Sequence, residues 1–387
     1  MNKYPAHTVL TYLNNHQQAM TDLLEQLAHL ESPSLLPETQ APVLALLAQF
    51  LEENNYHAEL APGRTSGGHL LARPIHVSPT QPRQLLLGHC DTVWPLGTLK
   101  TMPVEKSKGV MRGPGVYDMK GGLVQMVFAI QALHDLKLTP EVAPHVFINS
   151  DEEISSPEST PVIEQLAKKS DRVFVLEPAL GPTGKLKTAR KGVGTFSVTV
   201  KGRAAHAGLD PEKGISAILE LSHIIQKLFA LNDPERGISI NVGQITGGLR
   251  ANVIAPESQA QIDVRVLNAE DARLIENAIH NLQPEMPGIE IFTSGAVNRP
   301  PLERTPRNQT LWALAQNLGQ ELGIQLEEGT AGGGSDGNIT SQWTATLDGL
   351  GSVGDGAHAD HEFVYLDKMV ERAALLAMLL LVPPLKA

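Results

Sequence analysis

The chain contains a single cysteine, Cys90, among 387 residues. One thiol excludes an internal disulfide and a zinc site built on several cysteines. No oxidising compartment is needed, and residues 1–18 lack the apolar core of a signal peptide. The longest apolar run, residues 373–382, is shorter than the roughly 20 residues of a membrane-spanning helix. We therefore expect a cytoplasmic protein without a membrane partner.

Positive charge is also scarce. The net charge is −11, and no block of lysines and arginines is present to neutralise phosphates. Nucleic acid is therefore not an expected partner. Part of the acidic surplus can be functional, because carboxylates that bind divalent cations count as negative until the metal arrives. With 42% hydrophobic residues, the chain can bury a sizeable core, and its length favours two domains.

The first half of the chain alternates between apolar strands and helical segments. Residues 8–55 have leucines at three- and four-residue steps, which indicates helix. Strands separated by helices predict an α/β domain with a mostly parallel sheet covered on both faces, and ligands bind beyond the carboxyl ends of such strands. The predicted strands are 85–87, 146–148 and 173–176, and the predicted helices are 123–136 and 161–168.

The pattern changes near residue 192, where strands alternate apolar with polar residues and so have one wet face. The order strand-helix-strand-strand-helix-strand predicts a small α+β domain inserted into the first. We assign 1–191 and 303–387 to one domain and 192–302 to the insertion. Residues 373–382 are expected to form a buried C-terminal helix that ends before Pro383.

His89 and Asp91 follow the first apolar strand. Alternate residues of a strand face the same way, so both can share one side while Cys90 turns toward the core. A metal-bound imidazole usually donates its second N–H to an acceptor, and Asp91 can supply one. The alternative is that Asp91 only caps the strand end.

Asp118 lies between glycine-rich segments, residues 113–115 and 121–122. Glycines let the backbone pass close to an ion, and the helix that follows favours anionic groups at its start. Taken alone, the pattern equally suits an aspartate that caps this helix.

Three further acids follow the next two strands. Glu152 and Glu153 are adjacent, so they point in different directions, and one can bind metal while the other acts as general base. Glu177 ends another apolar strand. The alternative for Glu152 and Glu153 is a solvated acidic loop, and the alternative for Glu177 is a charge at the rim of the sheet. His358 and His361 are both candidates for a further ligand, and spacing alone does not choose between them.

In this order, from about residue 20 to 385, these motifs resemble the co-catalytic zinc family that includes glutamate carboxypeptidase, acetylornithine deacetylase, succinyl-diaminopimelate desuccinylase and tripeptide aminopeptidase. The resemblance makes Glu152 the general base and selects His358 over His361. Many relatives have a second acid where this chain has Met119. The implied site consists of the ligand His89 with its orienting partner Asp91, the bridging carboxylate Asp118, and the ligands Glu153, Glu177 and His358.

The resemblance extends to the inserted domain, which it implies is a ferredoxin-like lid that forms a homodimer. Residues 201–208 resemble the family segment whose histidine, here His206, reaches the active site of the neighbouring subunit. Residues 247–254 resemble a substrate-side strand with Asn252 as a polar contact. Residues 332–336 resemble a glycine loop that lines the pocket.

The implied centre holds two zinc ions per subunit, with cobalt or manganese as possible substitutes. His89 and Glu177 would hold one ion, and Glu153 and His358 the other. His206 would stabilise an oxyanion, and Arg299 would pair with a substrate carboxylate, although an exposed loop arginine is commonly only solvated. The expected substrate is a small peptide or an N-acyl amino acid. Carboxypeptidase and deacylase both remain open, as does a non-catalytic binding protein on the same fold.

Overall fold

The computed structural model describes residues 5–385 and separates into two compact units. The first combines the described parts of Met1–Thr188, Arg304–Thr330 and Ser335–Ala387. The second comprises Ala189–Glu303 and Ala331–Gly334.

The strands and helices are numbered in chain order. The strands are β1 (Tyr56–Ala61), β2 (His69–Pro74), β3 (Arg83–His89), β4 (Glu105–Ser107), β5 (Val110–Arg112), β6 (Ala143–Asn149), β7 (Arg172–Val175), β8 (Leu186–Arg190), β9 (Gly192–Lys201), β10 (Ser239–Gly247), β11 (Glu257–Val266), β12 (Glu290–Arg299), β13 (Glu328–Ala331), β14 (Ala345–Leu347), β15 (Gly354–Asp355) and β16 (Phe363–Tyr365). The helices are α1 (Ala6–Asn15), α2 (Gln17–His29), α3 (Ala41–Glu53), α4 (Gly121–Asp135), α5 (Thr160–Lys168), α6 (Ala217–Phe229), α7 (Ala269–His280), α8 (Pro306–Glu321), α9 (Asp336–Thr340) and α10 (Leu366–Leu380).

A six-stranded sheet in the order β1-β2-β6-β3-β7-β14 forms the centre of the first unit. Strands β6, β3, β7 and β14 run parallel to one another, whereas β1 and β2 add an antiparallel edge. Every residue of β6 is buried, as expected for a parallel strand covered on both faces. Because β6, β3 and β7 are adjacent and parallel, their carboxyl ends lie at one edge of the sheet.

Helix α4 is largely buried in the core of the first unit. Twelve of its residues are buried, and it packs against α10, which is buried over most of its length. The start of α4 lies tightly against the segment after β7, because a Cβ at Gly122 would come within 2.0 Å of the carbonyl oxygen of Leu176. Only glycine fits there without a shift of the backbone.

The second unit is an antiparallel sheet in the order β10-β11-β9-β12 with helices α6 and α7 packed on it. Alternate residues of β9 and β11 are buried and join the helices in a separate core. The element order β9-α6-β10-β11-α7-β12 with this strand order is ferredoxin-like. The predicted fold class, a mostly parallel α/β domain with a smaller α+β domain inserted, is therefore confirmed.

Some predicted elements differ in extent. The helix predicted over residues 8–55 is interrupted in the structure. Helix α2 ends at His29 and α3 begins only at Ala41, because prolines at 33 and 37 cannot continue a helix. Strands β1 and β2, which are partly exposed, were not predicted. The C-terminal helix begins at Leu366, earlier than expected. Within residues 5–385, no helix has the length and apolarity that crossing a bilayer requires.

Candidate metal centre

The carboxyl ends of β6, β3 and β7 carry four of the predicted site residues. His89 is the last residue of β3 and lies in register with Asn149, the last residue of β6. Glu152 and Glu153 follow β6 in a short 3₁₀ turn, and Glu177 follows β7 by two residues. Because neighbouring parallel strands end at the same edge, acids far apart in sequence meet the imidazole of His89 there.

Asp118 reaches the same edge from a different element. It lies in the irregular turn Val116–Lys120 that leads into α4, where its own backbone is not helical and its bond to Met119 is cis. Gly115, immediately before this turn, has φ of 73°, a conformation that favours glycine. The residue at the N-cap of α4 is Lys120, and no side chain makes a capping hydrogen bond there, so the alternative that Asp118 caps this helix is wrong.

Five side chains form a continuous series of contacts. Nε2 of His89 lies 3.3 Å from Oε1 of Glu177 and 3.4 Å from Oδ1 of Asp118. Oδ2 of Asp118 lies 3.4 Å from Nε2 of His358, which lies 3.2 Å from Oε2 of Glu153. Each oxygen of Asp118 thus faces one imidazole, which is the arrangement that a carboxylate bridging two metal ions requires.

Asp91 lies behind His89 and also contacts the acidic turn. Nδ1 of His89 lies 3.0 Å from the main-chain oxygen of Asp91 and 3.4 Å from its carboxylate, so in the neutral ring Nδ1 is the donor and Nε2 keeps its lone pair. The Asp91 carboxylate accepts the backbone N–H groups of Glu152 and Glu153 at 3.2 and 3.1 Å. It also accepts the hydroxyl of Ser34 at 2.7 Å.

The charges in the cluster alter one another's pKa values. Burial acts against a charge on His89, yet Asp118, Asp91 and Glu177 raise its pKa well above the ordinary value. The carboxylates of Asp118 and Glu153 raise the pKa of His358 to about 10. Burial acts to raise the pKa of Asp118, but the two nearby imidazoles lower it. Burial raises the pKa of Glu153.

The residues fit a pair of divalent cations. Among the described residues, Nε2 of His89, Oδ1 of Asp118 and Oε1 of Glu153 are buried without a hydrogen-bond partner, which is costly unless another ligand satisfies them. Candidate ligand atoms of His89, Asp118 and Glu153 lie within 4.8 Å of one another, as do those of His89, Glu152 and Glu177. Nitrogen and carboxylate donors without thiolate suit zinc, cobalt and manganese.

Three other predicted site residues, and the alternative histidine His361, lie outside this series of contacts. His361 is exposed, and its Nδ1 lies 3.6 Å from Oδ1 of Asp360. His206 and Asn252 are exposed residues of the second unit. Arg299, also in the second unit, is the last residue of β12 and only 5% exposed, so the alternative of an exposed, solvated loop arginine is wrong.

Sequence reasoning assigned no role to three residues whose hydrogen bonds support the cluster, namely Ser34, Trp94 and Glu362. Ser34 lies in the stretch that was read as helix, although its serine-proline-serine surroundings indicate a loop. Glu362 accepts the backbone N–H of Asp118 and the indole N–H of Trp94. Glu362 follows His358 by four residues, but no local pattern shows that Trp94 is its partner.

A family model described as peptidase family M20/M25/M40 matches residues 85–382, which include all five clustered residues. The chain belongs to this family. The resemblance inferred from the motifs is thereby confirmed, and this M20 chain is a metal-dependent hydrolase.

Similar proteins in the M20 family differ in their substrates. The chain is 27% identical to carboxypeptidase G2 of Pseudomonas sp. (strain RS-16) over 95% of this chain and 90% of that protein. It is 28% identical to succinyl-diaminopimelate desuccinylase of Paracidovorax citrulli over 89% of this chain and 92% of that protein.

Solved structures share the fold. Aminopeptidase PepT of Bacillus cereus superposes with a TM-score of 0.77 at 18% identity, covering 94% of this chain and 98% of that chain. A dinuclear metal-binding M20 peptidase of Bacillus subtilis superposes with a TM-score of 0.68 at 13% identity, covering 95% of this chain and 98% of that chain.

Proposed function

We propose that this M20 hydrolase cleaves an amide or peptide bond next to a free carboxylate, as a carboxypeptidase that uses two zinc ions. The observation that carries the proposal is the position of Asp118, with one carboxylate oxygen toward His89 and the other toward His358. Similarity to carboxypeptidase G2 over 95% of the chain supports the choice of substrate class.

In this proposal His89, Glu177, Asp118, Glu153 and His358 hold the metal ions. When bound, the ions would supply Lewis-acid chemistry at the amide carbonyl and would lower the pKa of a water molecule. Glu152 takes the proton of the attacking water and returns it to the leaving nitrogen. Its position supports this role, because its carboxylate lies within 4.8 Å of ligand atoms of His89 and Glu177, and its backbone is fixed by Asp91.

His206 is the proposed donor to the oxyanion. Its Nδ1 accepts the backbone N–H groups of Gly208 and Leu209, both at 3.1 Å, so the neutral ring carries its proton on Nε2. The exposed Nε2–H is therefore a donor that a developing oxyanion can use. Asn252 is adjacent, because its carbonyl oxygen accepts the N–H of Ala207. We assign Asn252 to substrate binding and Arg299 to the substrate carboxylate.

We further propose that two copies pair through the second unit and that His206 serves the partner's site. Strand β10 is at the edge of its sheet, and its residues beyond Val242 are exposed. Ile218 and Leu219 of α6 are each 48% exposed, Ile245 is 63% exposed and Leu249 is 75% exposed. An unpaired strand edge beside exposed apolar side chains is typical of an association surface.

Deacylation of N-acyl amino acids is the second candidate, because it needs the same amide chemistry and the desuccinylase relative matches 89% of the chain. A panel of folyl-glutamates, dipeptides and N-acetyl or N-succinyl amino acids tests both. The carboxypeptidase proposal expects the highest kcat/KM on substrates with a C-terminal glutamate or another free amino acid. Faster turnover of N-acyl amino acids would favour the deacylase, and no turnover by metal-loaded protein would favour a binding protein.

A further inference from the structure

Glu362 is a fully buried carboxylate whose partners come from two distant segments. Its side chain is 0% exposed. Oε1 accepts the backbone N–H groups of Tyr117 and Asp118 at 2.8 and 3.0 Å. Oε2 accepts the backbone N–H of Gly115 at 2.9 Å and the indole Nε1–H of Trp94 at 2.8 Å. Four donors match the roughly four lone-pair sites of a carboxylate, so the group is saturated.

The position of Glu362 in the chain connects two of the candidate metal ligands. His358 precedes it by four residues, and the loop between them is closed by a hydrogen bond from the N–H of Glu362 to the carbonyl of Ala359. The loop is tight, since a Cβ at Gly356 would lie 2.8 Å from Cα of Glu362. The carboxylate therefore joins the loop that carries His358 to the turn that carries Asp118.

We infer that Glu362 is a positioning residue that sets the separation of Asp118 and His358, with Trp94 holding its carboxylate in place. The inference rests on the proposed metal centre. The contact between Asp118 and His358 is a single 3.4 Å approach of one oxygen to one nitrogen, so a small shift of either backbone would change it. The turn that carries Asp118 donates its hydrogen bonds directly to Glu362.

Replacing the carboxylate with an amide tests this without a change of size. In Glu362→Gln, one oxygen becomes an NH₂ group that faces two N–H donors, either those of Tyr117 and Asp118 or those of Gly115 and Trp94. The new NH₂ group is itself a donor and cannot accept a hydrogen bond from either N–H, so the turn must move away. Loss of a residue that supports a metal ligand typically weakens metal affinity by about 10- to 100-fold.

A matched control is available in the second unit. Glu220 is also 0% exposed, and it accepts the backbone N–H groups of Glu285 and Met286 at 2.8 and 2.9 Å. Glu220→Gln therefore disturbs a buried carboxylate of the same kind in a unit that contributes no clustered ligand. We expect it to lower the melting temperature and to leave metal affinity unchanged.

The experiment measures zinc affinity by competition with a chromophoric chelator, and the melting temperature of the metal-free chain, for each variant. We expect Glu362→Gln to weaken zinc binding by about 10- to 100-fold, and Trp94→Phe, which removes one donor and keeps a ring, to weaken it less. Wild-type zinc affinity in Glu362→Gln would overturn the inference. If that variant does not fold, wild-type affinity in Trp94→Phe would overturn it. Failure of the wild-type chain to bind zinc would instead reject the metal centre itself.

Discussion

Oδ1 of Asp91 accepts the backbone N–H of Glu152 at 3.2 Å, so the residue behind the His89 imidazole also holds the proposed general base. The main-chain carbonyl of Asp91, at 3.0 Å, is the nearer acceptor for Nδ1 of His89. The side chain of Asp91 is thus needed more for the acidic turn than for the tautomer of His89.

Asp91→Asn should therefore reduce both turnover and metal affinity, because the acidic turn carries the proposed ligand Glu153 beside Glu152. The amide nitrogen would face the N–H of Glu152 or Glu153 and push the turn away, while the carbonyl of residue 91 still accepts from His89. We expect kcat to fall by about 10- to 100-fold. Ser34→Ala removes only one donor to the same carboxylate and should cost less. Steady-state kinetics with parallel metal analysis checks this, and wild-type kcat in Asp91→Asn would contradict it.

Substitutions of Glu152 and Glu153 should affect different properties, turnover in the first case and metal binding in the second. Glu152→Ala should keep two metal ions per chain and lose about 10²–10⁴ in kcat, the usual contribution of general-base catalysis. Glu153→Ala removes the partner of His358 and should lose metal. Metal content by elemental analysis and kcat are measured for both. Metal loss in Glu152→Ala with retention in Glu153→Ala would reverse the two roles.

Metal binding should release protons at mildly alkaline pH. Without metal, Asp118 and Glu153 raise the pKa of His358 to about 10, so the imidazole is protonated at pH 8 and must lose its proton to bind an ion. Affinity should therefore fall as the pH is lowered. Calorimetry at pH 8 in buffers of different ionisation enthalpy should detect release of at least about one proton per chain. Exposed His361 provides the control, since His361→Ala should not alter the release. No proton release in the wild-type chain would contradict this assignment.

The arrangement at the sheet edge could be predicted because three of the site residues follow apolar strands. His89, Glu152 and Glu177 come directly after segments whose burial the sequence shows, and parallel strands bring their ends together. Asp118 was predicted from its glycines, which permit the turn and the close approach of α4.

Long-range contacts could not be predicted in this way. Trp94 and Glu362 are 268 residues apart, and neither lies in a periodic pattern. Strand β1 was missed because its residues after Tyr56 are partly or fully exposed, so it lacks a buried run. Ser34 was missed because the prediction extended one helix across two prolines.

The proposed role of His206 in the partner's site predicts complementation. Glu152→Ala and His206→Ala should each be nearly inactive. When they are mixed and allowed to exchange subunits, one site in each hybrid dimer has Glu152 and receives a wild-type His206, so activity should recover. Mass spectrometry of differently labelled chains verifies the hybrids. Hybrids without recovered activity would show that His206 does not act across the dimer.

We propose that the cluster around Asp118 binds two metal ions that the reaction requires. The most direct test removes metal with a chelator, verifies its absence by elemental analysis, and titrates zinc or cobalt back while turnover of the best panel substrate is followed. We expect no turnover in the metal-free chain and recovery that is complete at two ions per chain. Full turnover by the chain verified to be metal-free would contradict it.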